Sequence, residues 1–280
     1  MGSSGKRTAI VYDFDGTLAR GNIQEHTFLP ELGIEKEEFW AEVGALKEKH
    51  DADQILIYMQ LMLERARERQ IEVTREALVE HGKRTPLFEG LDRWFDRIDG
   101  FAASRNLDLE HYVISAGTEE MIQGAACYSK FKKVFASRFM YDANGVATWP
   151  ALAINYTTKT QYLFRINKGV DNSWDNEPVN RWVPMKERPV PFSRMIFIGD
   201  GDTDIPCMKM VRHQGGYSIA VYDPGRPVDG ARKIYDLIAE DRVHYVAPAD
   251  YTEDSLLDIT VKGVLGRMGR EEAGYRSTNK

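Results

Sequence analysis

The chain has 280 residues, 42% of them hydrophobic, and a formal net charge of −6. That length exceeds the usual single-domain size, so one large core with a smaller module is expected. The acidic balance argues against a nucleic-acid or anionic-membrane surface, because such surfaces show as a basic excess.

Cys127 and Cys207 are too few for a disulfide framework and form no C-x-x-C pair, which suits a reducing compartment. No apolar run approaches the roughly 18 to 20 residues of a membrane span, and the amino terminus lacks signal-peptide order. The expected protein is soluble and cytoplasmic, with neither nucleic acid nor membrane as partner. The opening "MGSSGKR" lacks the Gly-x4-Gly-Lys-Ser/Thr spacing of a phosphate loop and reads as a disordered lead.

In chain order, Ile10, Val11 and Tyr12 predict a buried strand. From about Ile23 to His81 the pattern is helical. Within it, "ADQILIYMQLMLERARERQ" has apolar residues at 55, 56, 59, 62 and 63, and "VTREALVEHGK" has Thr74 as N-cap and Gly82 as stop. Then follow a helix "LDRWFDRIDGFAASRN", a strand "HYVISAG", a helix "TEEMIQGAACYS", and a hairpin around Asn144-Gly145. A helix from about Thr160 to Lys168 closes at Gly169. Residues 170 to 193 read as a long loop, with Trp174 and Trp182 as anchors more readily than ligand contacts. Later strands are "MIFIGD", "YSIAVYDP" and "VHYVAPAD", the last two separated by a helical "GARKIYDLIAED". A docked helix in "SLLDITVKGVLGRM" precedes a tail that is frayed from about Gly269.

Strands alternating with helices predict an α/β fold, doubly wound, with a mostly parallel Rossmann-like sheet and an inserted α-helical cap domain. The expected division is a discontinuous core, 1–20 and 86–280, around a cap at 21–85.

Ligands of such sheets bind beyond the carboxyl ends of the strands. There the first strand delivers Asp13 and Asp15, "HYVIS" delivers Ser115 with Ala116 and Gly117, and "MIFIGD" delivers Asp200, followed by Asp202 and Asp204. Carboxylates so dense repel one another unless a cation intervenes, and a hard, oxygen-liganded Mg2+ resolves the conflict. Asp13, directly at the strand end, is then the nucleophile candidate, and Asp15 the residue that moves protons. The Ser115 hydroxyl and the N–H groups of Ala116 and Gly117, at an expected helix start, supply donors for phosphoryl oxygens. Lys159 is the chosen cation, with Lys132, Lys133 and Lys168 as alternatives. The six histidines show no ligand spacing.

The order Asp13-x-Asp15-Gly-Thr17, Ser115, Lys159 and Gly199-Asp200-Gly-Asp-Thr-Asp204 resembles the haloacid dehalogenase superfamily, most of all its phosphoserine-phosphatase-like members. The resemblance implies Asp13 as nucleophile, Asp15 as acid/base, and Ser115 and Lys159 as phosphate ligands. It implies magnesium held by Asp13, Asp200 and the backbone carbonyl of Asp15, with Asp204 in support. Because the superfamily's dehalogenases lack the acid at position 15, it also implies phosphoryl transfer.

Two positions depart from phosphoserine phosphatases. The Glu nine residues after the nucleophile, which holds the substrate's amino group, is Asn22 here. The cap arginine falls in "ILIYM", where there is none. Phosphoserine is therefore disfavoured unless Glu25 or Arg65 substitutes. Tyr58 and Met59 read as cap core that can also line a pocket. The expected function is magnesium-dependent hydrolysis of a small phosphorylated metabolite through an aspartyl-phosphate. A phosphotransferase or mutase, or a non-catalytic binding protein on the same fold, is the alternative.

Overall fold

The computed structural model describes residues 7–201, 203–225 and 236–278, with side chains as far as Glu271. The "MGSSGKR" lead up to residue 6, Asp202 and most of "GARKIYDLIAED" lie outside the described residues, although 236–239 are helical.

The strands are β1 (Arg7–Tyr12), β2 (Asp108–Thr118), β3 (Lys133–Tyr141), β4 (Ala147–Leu152), β5 (Met195–Gly199), β6 (Tyr217–Tyr222) and β7 (Tyr245–Pro248). They form one sheet in the order β4-β3-β2-β1-β5-β6-β7, parallel except for β4, which pairs antiparallel with β3. The α/β, mostly parallel expectation holds. The chain winds outward from β1 in both directions, so the crevice of the sheet opens where β1 meets β2 and β5. Alternation along β1 explains why it is apolar throughout: Ile10 and Tyr12 enter one core cluster while Ala9 and Val11 enter a second.

The helices are α1 (Phe28–Glu31), α2 (Lys36–His50), α3 (Gln54–Glu68), α4 (Arg75–Gly82), α5 (Leu91–Ser104), α6 (Glu119–Gly124), α7 (Thr158–Lys168), α8 (Glu177–Asn180), α9 (Ile205–His213) and α10 (Leu256–Thr278). The first four fill the segment between β1 and α5. Asp53 caps α3 by accepting from Ile55 N and Leu56 N, and Thr74 Oγ1 accepts from Ala77 N as expected of a cap. Along α3 the buried face differs from the expected one by a small rotation. Leu56 is exposed, whereas Tyr58 and Leu61 are buried.

Gly82 does not stop α4 by a left-handed turn. A Cβ there would lie 1.8 Å from the Met121 carbonyl oxygen, and one on Gly124 would lie 2.0 Å from that of Val79. These glycines let α4 and α6 touch backbone to backbone. The same approach ends α6 at Gly124, earlier than the sequence pattern suggests, with Ala125 extended.

The hairpin turns at Gly145, φ +80°, and α7 closes at Gly169, φ +67°. The loop after α7 is anchored by Arg165, not by its tryptophans. The buried guanidinium donates to the carbonyls of Asn172, Ser173 and Asp175 and to Asn176 Oδ1. Trp174 and Trp182 are each 80% exposed. The carboxyl-terminal tail also departs from expectation, since α10 continues to Thr278. Arg and Glu favour helix there, and Arg267 pairs with Glu271 one turn on at 3.1 Å. Among the described residues no helix is long and apolar enough to cross a membrane, and Cys127 and Cys207 are free and buried.

Candidate active site

The site begins where β1 stops. Asp13 N donates to Ile198 O at 2.9 Å, extending the β1–β5 ladder and fixing the first acid at the strand end. The chain then turns tightly, with Leu18 N and Ala19 N both donating to Phe14 O. Gly16 sits in this turn at φ +74°, and a Cβ on it would lie 2.1 Å from Asp200 Oδ2. Only glycine satisfies both the backbone angle and the approach of the turn to Asp200. Asp15 projects from the same turn, and its Oδ1 accepts from Ile23 N at 3.0 Å.

The other elements converge here. Lys159, in the first turn of α7, is 1% exposed. Its ammonium lies 2.9 Å from Asp13 Oδ1 and donates to Asp204 Oδ1 at 2.8 Å. Asp204 Oδ2 accepts from Asp200 N at 3.2 Å, and a Cβ on Gly199 would lie 2.3 Å from that oxygen. Asp204 is thereby held on both oxygens and in turn fixes the β5–α9 turn. One carboxylate oxygen each of Asp13, Asp200 and Asp204 lies within 4.8 Å of the others.

Ser115 ends the regular part of β2. The register of β2 against β3 shifts between Ser115 and Thr118, so Ala116 and Gly117 occupy a bulge of the strand, not the start of a helix. Gly117 N donates to Ser115 Oγ at 3.0 Å. A Cβ on Gly117 would lie 2.8 Å from Asp15 Oδ2, which brings this bulge against the second acid.

Electrostatics matches the crowding. Burial raises the Asp13 carboxyl, Lys159 opposing and Asp200 adding to the rise. Burial, then the neighbouring Asp13, holds Asp15 well above the usual carboxylate range. Asp204 is also raised, by burial and by Asp13. Burial alone would lower Lys159, but Asp13 and Asp204 outweigh it and keep the ammonium charged. One buried cation thus faces several acids. The clustered donors are all carboxylate oxygens, which fits a hard divalent cation such as magnesium.

Asp13, Asp15, Asn22, Ser115, Ala116, Lys159 and Asp200 all line one cavity of about 720 Å³, and Gly117 lines a smaller pocket beside it. Of the alternatives to Lys159, Lys132 pairs with Glu110, Lys133 lies over Phe135, and Lys168 donates to the carbonyls of Val179 and Arg181. Arg65 pairs with Glu42 and Glu68 and lines neither space, so it does not replace the missing arginine. Glu25 does line the cavity, and its Oε1 accepts from Asn22 Nδ2 at 2.5 Å and from Trp40 Nε1 at 2.6 Å. Tyr58 lines the smaller pocket whereas Met59 does not, and neither Trp174 nor Trp182 reaches either space. Trp40 and Lys36 also line the cavity, and no motif in the sequence marks them.

The family model of haloacid dehalogenase-like hydrolases matches residues 10–209, and the chain belongs to that family. It is an enzyme of the hydrolase class, on a fold shared with phosphatases. A curated relative from Borreliella burgdorferi, described as an uncharacterized protein, is 28% identical over 276 residues, 89% of this chain and 93% of its own. Among solved structures, a probable phosphoserine phosphatase from Vibrio cholerae superposes with a TM-score of 0.58 at 14% identity, covering 95% of this chain and 67% of its own. A phospho-aspartyl intermediate analogue of phosphoserine phosphatase gives 0.52 at 16% identity, covering 86% and 93%. At these identities the structural likeness speaks for the fold.

Proposed function

We propose that this chain hydrolyses a small phosphomonoester by transferring the phosphoryl group to Asp13 and then to water, in the presence of magnesium. The observation that carries the reading is the Lys159 ammonium between Asp13 and Asp204, beside Asp15 and Asp200. Asp13, Asp200 and the backbone carbonyl of Asp15 would hold the metal, with Asp204 in support. When bound, the cation neutralises phosphoryl and carboxylate charge.

Each remaining step belongs to a residue of the chain. An Asp13 oxygen attacks phosphorus, forming a P–O bond as the bond to the leaving alcohol breaks. Asp15, whose raised affinity for a proton suits a general acid, protonates that leaving oxygen. Water then attacks phosphorus, Asp15 takes its proton, and the bond from phosphorus to the Asp13 oxygen breaks, which frees the carboxylate and releases phosphate. Ser115, the Ala116 N–H and Lys159 bind the phosphoryl oxygens, whose charge grows in the transition state, while the Gly117 N–H orients the Ser115 hydroxyl.

Residues 21–85 are the cap in this reading, with the core formed by 1–20 and 86–280, and Glu25, Asn22 and Trp40 face the leaving group. Phosphoserine is disfavoured as substrate, because no arginine lines the described part of the cavity to take its carboxylate. The test is Asp13→Asn with an aryl phosphate and magnesium. Turnover is expected to vanish with the melting temperature little changed, and wild-type turnover in the variant would remove Asp13 as nucleophile.

A further inference from the structure

Helix α3 and its N-cap reach β2, which carries Ser115, and the segment that leads into α7, which carries Lys159. Tyr58, 2% exposed, donates its hydroxyl to the Ala116 carbonyl at 2.7 Å. At the start of the same helix, Asp53 accepts from Asn155 Nδ2 through Oδ2 at 2.5 Å, while its Oδ1 caps α3. Asn155 in turn ties down the start of α7: its Oδ1 accepts from Thr158 N at 3.0 Å and its carbonyl from Lys159 N at 2.9 Å.

The consequence for Ser115 follows from peptide geometry. The C=O of Ala116 and the N–H of Gly117 belong to one planar unit and point in opposite directions. Holding the carbonyl therefore holds the N–H that donates to Ser115 Oγ at 3.0 Å. That bond uses a lone pair of the hydroxyl and leaves its proton for a phosphoryl oxygen. The Tyr58 ring is itself set edge-on against Trp40, with centroids 5.9 Å apart, and the Trp40 indole N–H is tied to Glu25.

We propose that Tyr58 and Asp53 are positioning residues: through α3 they hold the Ser115–Gly117 bulge and the Lys159 end of α7 in the arrangement that binds phosphate. The inference rests on the phosphatase reading and adds two residues that touch no reacting atom.

The experiment compares the full-length wild type with Tyr58→Phe and Asp53→Ser, all with magnesium. Inorganic phosphate is the binding probe, followed by calorimetry, and an aryl phosphate is the substrate. Phe keeps the ring packing, and Ser keeps a capping oxygen for α3 while falling short of Asn155. Each variant is expected to raise the phosphate Kd and the aryl phosphate KM by about three- to tenfold, the scale of one lost hydrogen bond, with a smaller change in kcat. The amide resonance of Gly117 should move in Tyr58→Phe. Wild-type Kd and KM in both variants, alongside an active wild type, would overturn the positioning roles and leave the phosphatase reading standing. A wild type that neither binds phosphate nor hydrolyses the ester would overturn both.

Discussion

Lys159 has the most to do of any single side chain here, since it is fully buried between two acids and supplies positive charge to the cavity. Lys159→Met keeps much of the volume and removes the charge. Leaving two buried carboxylates without their partner should destabilise the protein by about 3 to 5 kcal/mol in denaturant unfolding. Activity should fall by about 100-fold or more, as for loss of a main transition-state donor. A variant with wild-type stability would mean that the acids do not depend on the pair. The acids and Ser115 were legible in the sequence because short apolar strands announce where their carboxyl ends lie, whereas Lys159, in the first turn of α7, rested on its chain order between Ser115 and Asp200 and on the family resemblance. Glu25 and Trp40 were not legible as partners. They are 15 residues apart and meet only through the packing of the helical segment.

At the scale of elements, the α4–α6 contact depends on two glycines that the sequence presents only as helix ends. Gly82→Ala puts a methyl group against the Met121 carbonyl, and backbone cannot yield as a flexible side chain does. The expected cost is about 1 to 3 kcal/mol of stability, the range for overpacking, read as a lowered unfolding midpoint. The same helix carries His81, whose ring meets Phe28 edge-on, contacts Thr27 Oγ1 at 2.9 Å and lies 3.3 Å from Glu31. Burial lowers its pKa despite Glu31, with Arg84 lowering it further and Glu80 opposing. The unfolded chain then binds more protons than the native state, so stability is full above about pH 6.5, the ordinary histidine value, and falls as pH drops through the folded pKa. His81→Gln should flatten stability against pH between about 5 and 7; an unchanged slope would assign that dependence elsewhere. Secondary structure along this segment was readable from periodicity, but close backbone approach was not, because a glycine looks the same whether it turns, stops or touches.

For the whole molecule, strand order explains why the acids are crowded and what that crowding should do. With β1 between β2 and β5, the first strand must end beside both Ser115 and Asp200. Folding therefore concentrates Asp13, Asp200 and Asp204 within 4.8 Å, and burial, reinforced by the neighbouring carboxylates, raises the proton affinity of Asp13 and Asp204. A ligand that binds the folded but not the unfolded chain stabilises it by RT ln(1 + [L]/Kd), about 2.7 kcal/mol at a hundredfold excess over Kd. At about 2 to 4 °C per kcal/mol for a chain of this order, saturating magnesium should raise the melting temperature by several degrees, and chelation should reverse it. Asp200→Asn removes one negative ligand without touching the Lys159 pair, so the magnesium-induced rise should shrink strongly in that variant. Sodium at matched ionic strength should produce little of the rise in either protein, which separates a bound divalent ion from general screening. An equal rise with magnesium in both proteins would place the stabilising ion away from this cluster.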